Sequence, residues 1–189
     1  MRITHSVILT PDKLVVDGNI VATSDGSADF VTRLYREHIG DYPKFFKMDA
    51  LCKVGFVASE MLLRAEKDCP IEERVAYNTA ERAIVLFNAT SSLSDDTNYQ
   101  KTISDAGNYY PSPSVFVYTL PNIVTGEIAI RNRYFGEINF IVLDKPDAVM
   151  MDKLAETAFC DPETQSILSG WVDCYDEEHF DVRLFIAEK

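Results

Sequence analysis

The sequence is 189 residues long, 47% hydrophobic and 25% charged, with a formal net charge of −12. That length suits one domain spanning residues 1–189, large enough to fold without a disulfide or metal staple, and the apolar fraction excludes a disordered chain. The acidic balance excludes binding to nucleic acid or to an anionic membrane through a basic face.

Taken in chain order, residues 3–9 and 14–22 read as strands joined by turns, with Thr10-Pro11-Asp12 and Asp17-Gly18-Asn19 as the turn signals. Ser24 to Ser27 is a polar loop, and residues 28–38 suit a short helix ended by Gly40 and Pro43. Residues 48–65 carry the clearest helical period. Met48, Leu51, Cys52, Gly55, Ala58, Met61, Leu62 and Ala65 recur at steps of three and four, and Phe56 and Val57 widen the stripe. A second short helix is expected over 71–79. The run Ala83 to Phe87 is all apolar and ends in a polar string, which predicts a buried parallel strand.

Residues 97–106 look weakly helical, and Tyr109 to Pro113 is a rigid corner. Pro121 suits the first turn of a helix running to about Arg131, since its missing N–H costs nothing there. Ile138 to Leu143 (INFIVL) reads as another buried strand. Asp144-Lys145-Pro146-Asp147 precedes a helix over 147–160. Ser166 to Cys174 and Phe180 to Ala187 are two strands joined by an acidic turn. Strands alternating with helices, then two closing strands, imply a layered α/β fold with a mixed sheet.

The charge is uneven. Residues 144–189 hold twelve acidic and four basic residues, whereas residues 1–47 are balanced. A solvated acidic surface is one reading, and a surface steering a basic partner is the other. The opening MRITHSVILTPDKL has too short an apolar run for a secretory signal, and no stretch approaches a membrane span. Cys52, Cys69, Cys160 and Cys174 are scattered without a CxxC, so no structural zinc and no disulfide framework is expected. A reducing, cytoplasmic setting is expected, and core or helix positions for the thiols.

The stretch 112–137 resembles a segment of the β-ketoacyl synthases, the condensing enzymes of fatty-acid and polyketide synthesis. Phe116, Thr119, Leu120, Pro121, Asn122, Gly126, Ile128, Ala129 and Gly136 carry the likeness. Residues 47–63, 82–96 and 166–175 resemble the family's early helix, its second strand with the following loop, and the strand after the nucleophile helix. The resemblance implies one half of the thiolase-like fold: a five-stranded mixed sheet in the order βαβαβαββ, with helices on both faces.

In the family a cysteine thiolate just after the third strand accepts the acyl group, activated by a helix N-terminus. The residues there are Asp144 to Asp147, and none is cysteine. Lys145 aligns best, but a protonated ammonium is a poor nucleophile, and Asp147 reads as a helix cap. The family's histidines belong to a second half, and His5, His38 and His179 read as surface residues. No other catalytic or cofactor motif is present, and Asp176 to Glu178 read as a solvated hairpin turn.

The resemblance therefore implies a non-catalytic dimerising or accessory subunit. Its third strand would pair edge to edge through Ile138, Phe140 and Val142, with a second copy or with a full-length condensing enzyme. The alternatives are an acyltransferase or synthase activity that needs a partner chain, and a module that binds coenzyme A or a phosphopantetheine arm. Asn122, Lys145, Arg131 and Arg133 are the candidate substrate-binding residues, the three cations as a patch for an acyl carrier protein. No resident cofactor and no metal is expected.

Overall fold

The computed structural model describes residues 1–27, 29–68, 81–107 and 110–189. The helix expected over 71–79, Cys69 and Tyr109 lie outside the described residues.

The chain opens with a three-stranded meander of β1 (Arg2–Thr10), β2 (Lys13–Val16) and β3 (Asn19–Thr23). Asp17 and Gly18 both take positive φ, 48° and 78°, the conformation a two-residue hairpin turn needs. The Asp17 carboxylate fixes that turn by accepting the Ser6 N–H at 2.7 Å and meeting His5 Nδ1 at 2.8 Å. The turn splits 14–22 into two strands. This is why the sheet has seven strands and not the five expected, with β2 and β3 extending it beyond β1.

Helix α1 (Phe30–His38) follows, and its Tyr35 stacks on Phe45 of the 3₁₀ turn Pro43–Lys47 at 4.0 Å between ring centres. Helix α2 (Ala50–Asp68) matches the helical period of the sequence. Strand β4 (Arg82–Asn88) is buried at every residue. It is flanked by β5 (Ile138–Val142) and β6 (Ser166–Cys174), both parallel to it. Strand β7 (Phe180–Glu188) lies antiparallel between β6 and β1, giving the order β3-β2-β1-β7-β6-β4-β5.

Between β4 and β5 run three helices: α3 (Leu93–Ile103), α4 (Pro113–Tyr118) and α5 (Ile123–Asn132). Helix α4 occupies the end of the expected rigid corner. Pro113 starts it, and Ser112 Oγ accepts the Val115 N–H at 3.5 Å. Pro121 does not enter a helix, because α5 begins two residues later at Ile123. Helix α6 (Ala148–Glu156) follows β5 and ends in a 3₁₀ turn, Thr157–Cys160.

Helices cover both faces of the sheet. On one face α1, α2 and α5 bury Val7, Leu9, Ile84, Leu86, Leu168, Val172, Leu184 and Ile186. Gly55 lets α2 and α5 approach closely, since a Cβ there would sit 2.5 Å from Val124 Cγ2. On the other face Ala155 of α6 and Ala158 of the following turn cover Ala83, Val85, Phe87, Ile167 and Trp171. Strand β5, read from its composition as buried, is an edge strand. Ile138 and Val142 are 41% and 48% exposed, and β4 pairs one side of β5 while among the described residues no strand pairs the other.

Among the described residues no helix is long and apolar enough to cross a membrane.

Candidate functional site

In sheets of this kind the polar groups that matter gather where parallel strands end and helices begin. Strand β4 ends at Asn88, whose side chain is fully buried. Its Nδ2 donates to the Ser91 carbonyl at 2.8 Å and its Oδ1 accepts the Ser91 N–H at 3.2 Å, holding Ser91 at φ 53°. On neighbouring β6, Asp173 Oδ1 accepts the N–H groups of Ala89 and Thr90 and the Thr90 hydroxyl, at 3.2, 3.0 and 2.7 Å. Ser92 Oγ donates to the Thr119 carbonyl at 2.5 Å. The connection from β4 into α3 is thus fixed by side chains at both ends.

The first turn of α3 then places Asp95, 8% exposed, against Asp49. Asp49 precedes α2 and caps it, its Oδ1 accepting the Cys52 N–H at 3.1 Å. Burial, then the hydrogen bond and charge of Asp49, then Asp96, push Asp95 up to about 8. From α5, Glu127 is buried. Its Oε1 meets Lys44 Nζ at 2.6 Å, while its Oε2 has no hydrogen-bond partner among the described residues. That contact with Glu127 raises Lys44.

Burial, assisted by Asp49, drives the Cys52 and Cys174 thiols up. Burial and then Glu127 push Tyr118 up to about 12. Both thiols are therefore protonated at neutral pH and are not nucleophiles. The cluster gathers buried acidic and neutral groups at the ends of β4 and β6. Among the described residues no group of three or more His, Cys, Asp or Glu is arranged to hold a metal.

The residues singled out from sequence lie elsewhere. Asp144 to Asp147 form an exposed turn after β5, and Lys145 projects from it. Asp147 caps α6, its Oδ1 accepting the Met150 N–H at 3.0 Å. Pro146 rims an open recess of about 340 Å³ between α6 and the sheet, lined by Ala148, Met151, Trp171 and Phe185, with Asp181 and Arg183 at its border. Asn122 is exposed just before α5, and its backbone carbonyl, not its side chain, accepts the Thr125 hydroxyl.

Arg131 and Arg133 belong to the opposite end of β5 from Lys145, about 16 Å away over five extended residues. Arg131 is committed to Asp41 at 2.7 Å and Glu60 at 3.3 Å, and lies over the Tyr42 ring. The three cations therefore do not form one patch. Arg133 is the left-handed C-cap of α5, at φ 57° and ψ 41°. Arg133→Gly should consequently raise stability by about 0.5–1 kcal/mol, read from the urea midpoint.

Phe140 is partly buried and packs on the α2–α5 core, whereas Ile138 and Val142 are open. Cys160 is exposed at the end of its 3₁₀ turn, not in the core. His179 is exposed on the acidic hairpin, while His5 and His38 are half-buried rather than surface residues. Asp49, Asp95 and Glu127 escaped the sequence reading. The available signals were an acidic residue in the first turn after a buried parallel strand and another directly before the longest helix.

No protein-family model and no curated protein matches this sequence. Solved structures do. The ishigamide ketosynthase/chain length factor is similar over 100% of this chain and 62% of its own, at 16% identity and a TM-score of 0.73. The ketosynthase ApeO in complex with its chain length factor ApeC, from Xenorhabdus doucetiae, is similar over 99% of this chain and 78% of its own, at 11% identity and a TM-score of 0.62. A complex of a type II polyketide synthase acyl-carrier protein with its ketosynthase bound to the hexaketide is similar over 100% and 62%, at 15% and 0.61. The chain thus spans 62% of the length of two of these proteins. At these identities the likeness is one of fold, and the fold of this chain is the thiolase-like fold of ketosynthases and chain length factors.

Proposed function

We propose that this chain is a ketosynthase-like subunit of polyketide-type biosynthesis that works by association, without acyl transfer of its own. The observation that carries the reading is the open edge of β5, with exposed Ile138 and Val142. An apolar strand edge left unpaired is a template for another chain, and a dimer partner is the usual way to cover one. The partner is a second copy or a full-length condensing enzyme.

Three features support the non-catalytic part. Lys145 stands on an exposed turn at the position where the resemblance puts the nucleophile. The thiols of Cys52 and Cys174 are buried and protonated. A net charge of −12 opposes docking of an acidic carrier protein, and Arg131 and Lys145 are too far apart to offset it as one patch.

Intact-mass analysis after incubation with an acylated carrier protein tests this directly. The expected spectrum shows only the unmodified chain, and an acyl adduct on Lys145 or on any cysteine overturns the reading. The recess beside Pro146 favours a second reading, a module that holds a pantetheine arm without turnover. In that case coenzyme A raises the melting temperature, and Trp171→Ala removes the rise.

A further inference from the structure

Resting on the reading of β5 as the associating edge, we propose that this edge takes a second copy of the chain, the two strands running antiparallel about a two-fold axis at Phe140. The sheet has two edges, β3 and β5. Edge β3 is blunted. Its pairing with β2 is broken by a register shift between Leu14 and Val15, and Arg33 of α1 donates to the Thr23 carbonyl at 3.3 Å. Edge β5 runs in unbroken register with β4 from Ile138 to Val142.

The backbone limits how two such edges can meet. Glu137 accepts from Ile84 and Leu143 donates to Asn88, so the odd-numbered residues of the strand face β4 and Ile138, Phe140 and Val142 face outward. An antiparallel ladder forms only where outward-facing residues oppose each other, so the pairing can shift by two residues but not by one. Two identical strands paired this way close on a two-fold axis.

The side chains then select one register. With Phe140 on the axis, all five residues of β5 are paired, and Ile138 of each copy lies opposite Val142 of the other. A shift of two residues one way sets Ile138 against Asp144, and the other way sets Val142 against Gly136. Each shift leaves one exposed apolar side chain without an apolar partner, whereas the register about Phe140 covers both.

Charge permits the same approach. Residues 133–145 hold two basic residues, Arg133 and Lys145, and two acidic ones, Glu137 and Asp144, so this segment is neutral in a chain of −12. Two acidic copies can meet here without the repulsion that the acidic remainder of the C-terminal quarter imposes. Exposed Ile130 and Phe135 extend the apolar surface past the start of the strand.

Disulfide trapping tests the partner and the register together. Ile138→Cys and Val142→Cys are made in a Cys69→Ser, Cys160→Ser background, each alone and co-expressed, and oxidised after purification. Both side chains are exposed, so neither substitution disturbs the core. Opposed residues of a hydrogen-bonded antiparallel pair have Cα atoms about 5.5 Å apart, within the span of a disulfide. The same position on the two copies is offset by four residues, about 13 Å along the strand. Co-expression should therefore yield a crosslinked dimer whose joined peptides carry positions 138 and 142, and each variant alone should yield none. A crosslink in either variant alone, or none on co-expression, overturns the proposal. The reading of β5 as the associating edge survives such a result if a complex with a full-length ketosynthase forms and Val142→Pro dissolves it, and falls as well if no such complex forms.

Discussion

Gly170→Ala is expected to cost about 3 kcal/mol or more, enough to unfold a marginally stable domain. Gly170 sits in the middle of β6 opposite Leu184, with φ at +139°, a conformation that side-chain-bearing residues rarely adopt. A Cβ there would lie 2.0 Å from the Arg183 carbonyl oxygen and 2.9 Å from the Leu184 Cα. Both are backbone atoms of the paired strand, so no rotamer change relieves the clash. The strands themselves would have to part, and β6–β7 is central in the sheet. Trp171, the chain's one tryptophan, is 4% exposed next to the substitution, so its fluorescence follows urea unfolding at that position. A midpoint within experimental error of the wild type would contradict the close approach of β7.

Arg82→Ala should cost about 3–5 kcal/mol, the range for removing one member of a buried ion pair. Arg82 is 3% exposed at the start of β4. Its guanidinium meets both oxygens of Glu66, near the end of α2, at 2.9 and 2.5 Å, and its Nε donates to Ser166 Oγ on β6 at 2.9 Å. It therefore ties α2 to the N-terminal ends of two parallel strands. Truncation leaves the Glu66 carboxylate without its counter-charge in a partly dry pocket and leaves Ser166 without its donor. Glu66→Gln, which keeps a hydrogen-bonding group, should cost less, about 1–2 kcal/mol. Because the pair is shielded from solvent, 0.5 M salt should change neither loss appreciably, which separates it from surface pairs such as Arg183–Asp181. An Arg82→Ala loss under about 1 kcal/mol would contradict the assignment.

Local patterns carried much of the fold. The apolar run Ala83 to Phe87 behaves as a strand buried on both faces, and the spacing read over 48–65 is a helix, although it begins at Ala50 and Met48 caps the preceding 3₁₀ turn. Asp147 caps α6 as its position before an amphipathic run suggests. INFIVL has the same apolar character as AIVLF, yet it lies at the edge. Composition reports what a strand tolerates, whereas burial depends on which strands flank it, and that is set by the whole topology. The extra strands β2 and β3 hang on a two-residue turn at Asp17-Gly18 that was visible, although whether the second arm pairs was not.

The acidic cluster of Asp49, Asp95 and Glu127 was the least legible feature. Asp49 and Asp95 are 46 positions apart and meet only because α2 and α3 both begin above the ends of β4 and β6. Conversely, Arg131, Arg133 and Lys145 are close in sequence and look like one basic patch, but a five-residue strand separates them in space.

Sedimentation velocity at micromolar concentration tests the central claim of association through β5, with the chain alone and mixed with a full-length ketosynthase. Leu143 donates its N–H to Asn88 and Glu137 accepts from Ile84, so the backbone groups of the odd-numbered residues from 137 to 143 face β4. Those of Ile138, Phe140 and Val142 therefore face outward. Val142→Pro then removes an outward donor without breaking a bond to β4. The wild-type chain should sediment as a dimer, with itself or with the ketosynthase, and Val142→Pro should return it to a folded monomer. A monodisperse wild-type monomer in both samples, or a dimer that Val142→Pro leaves intact, would contradict pairing through this edge.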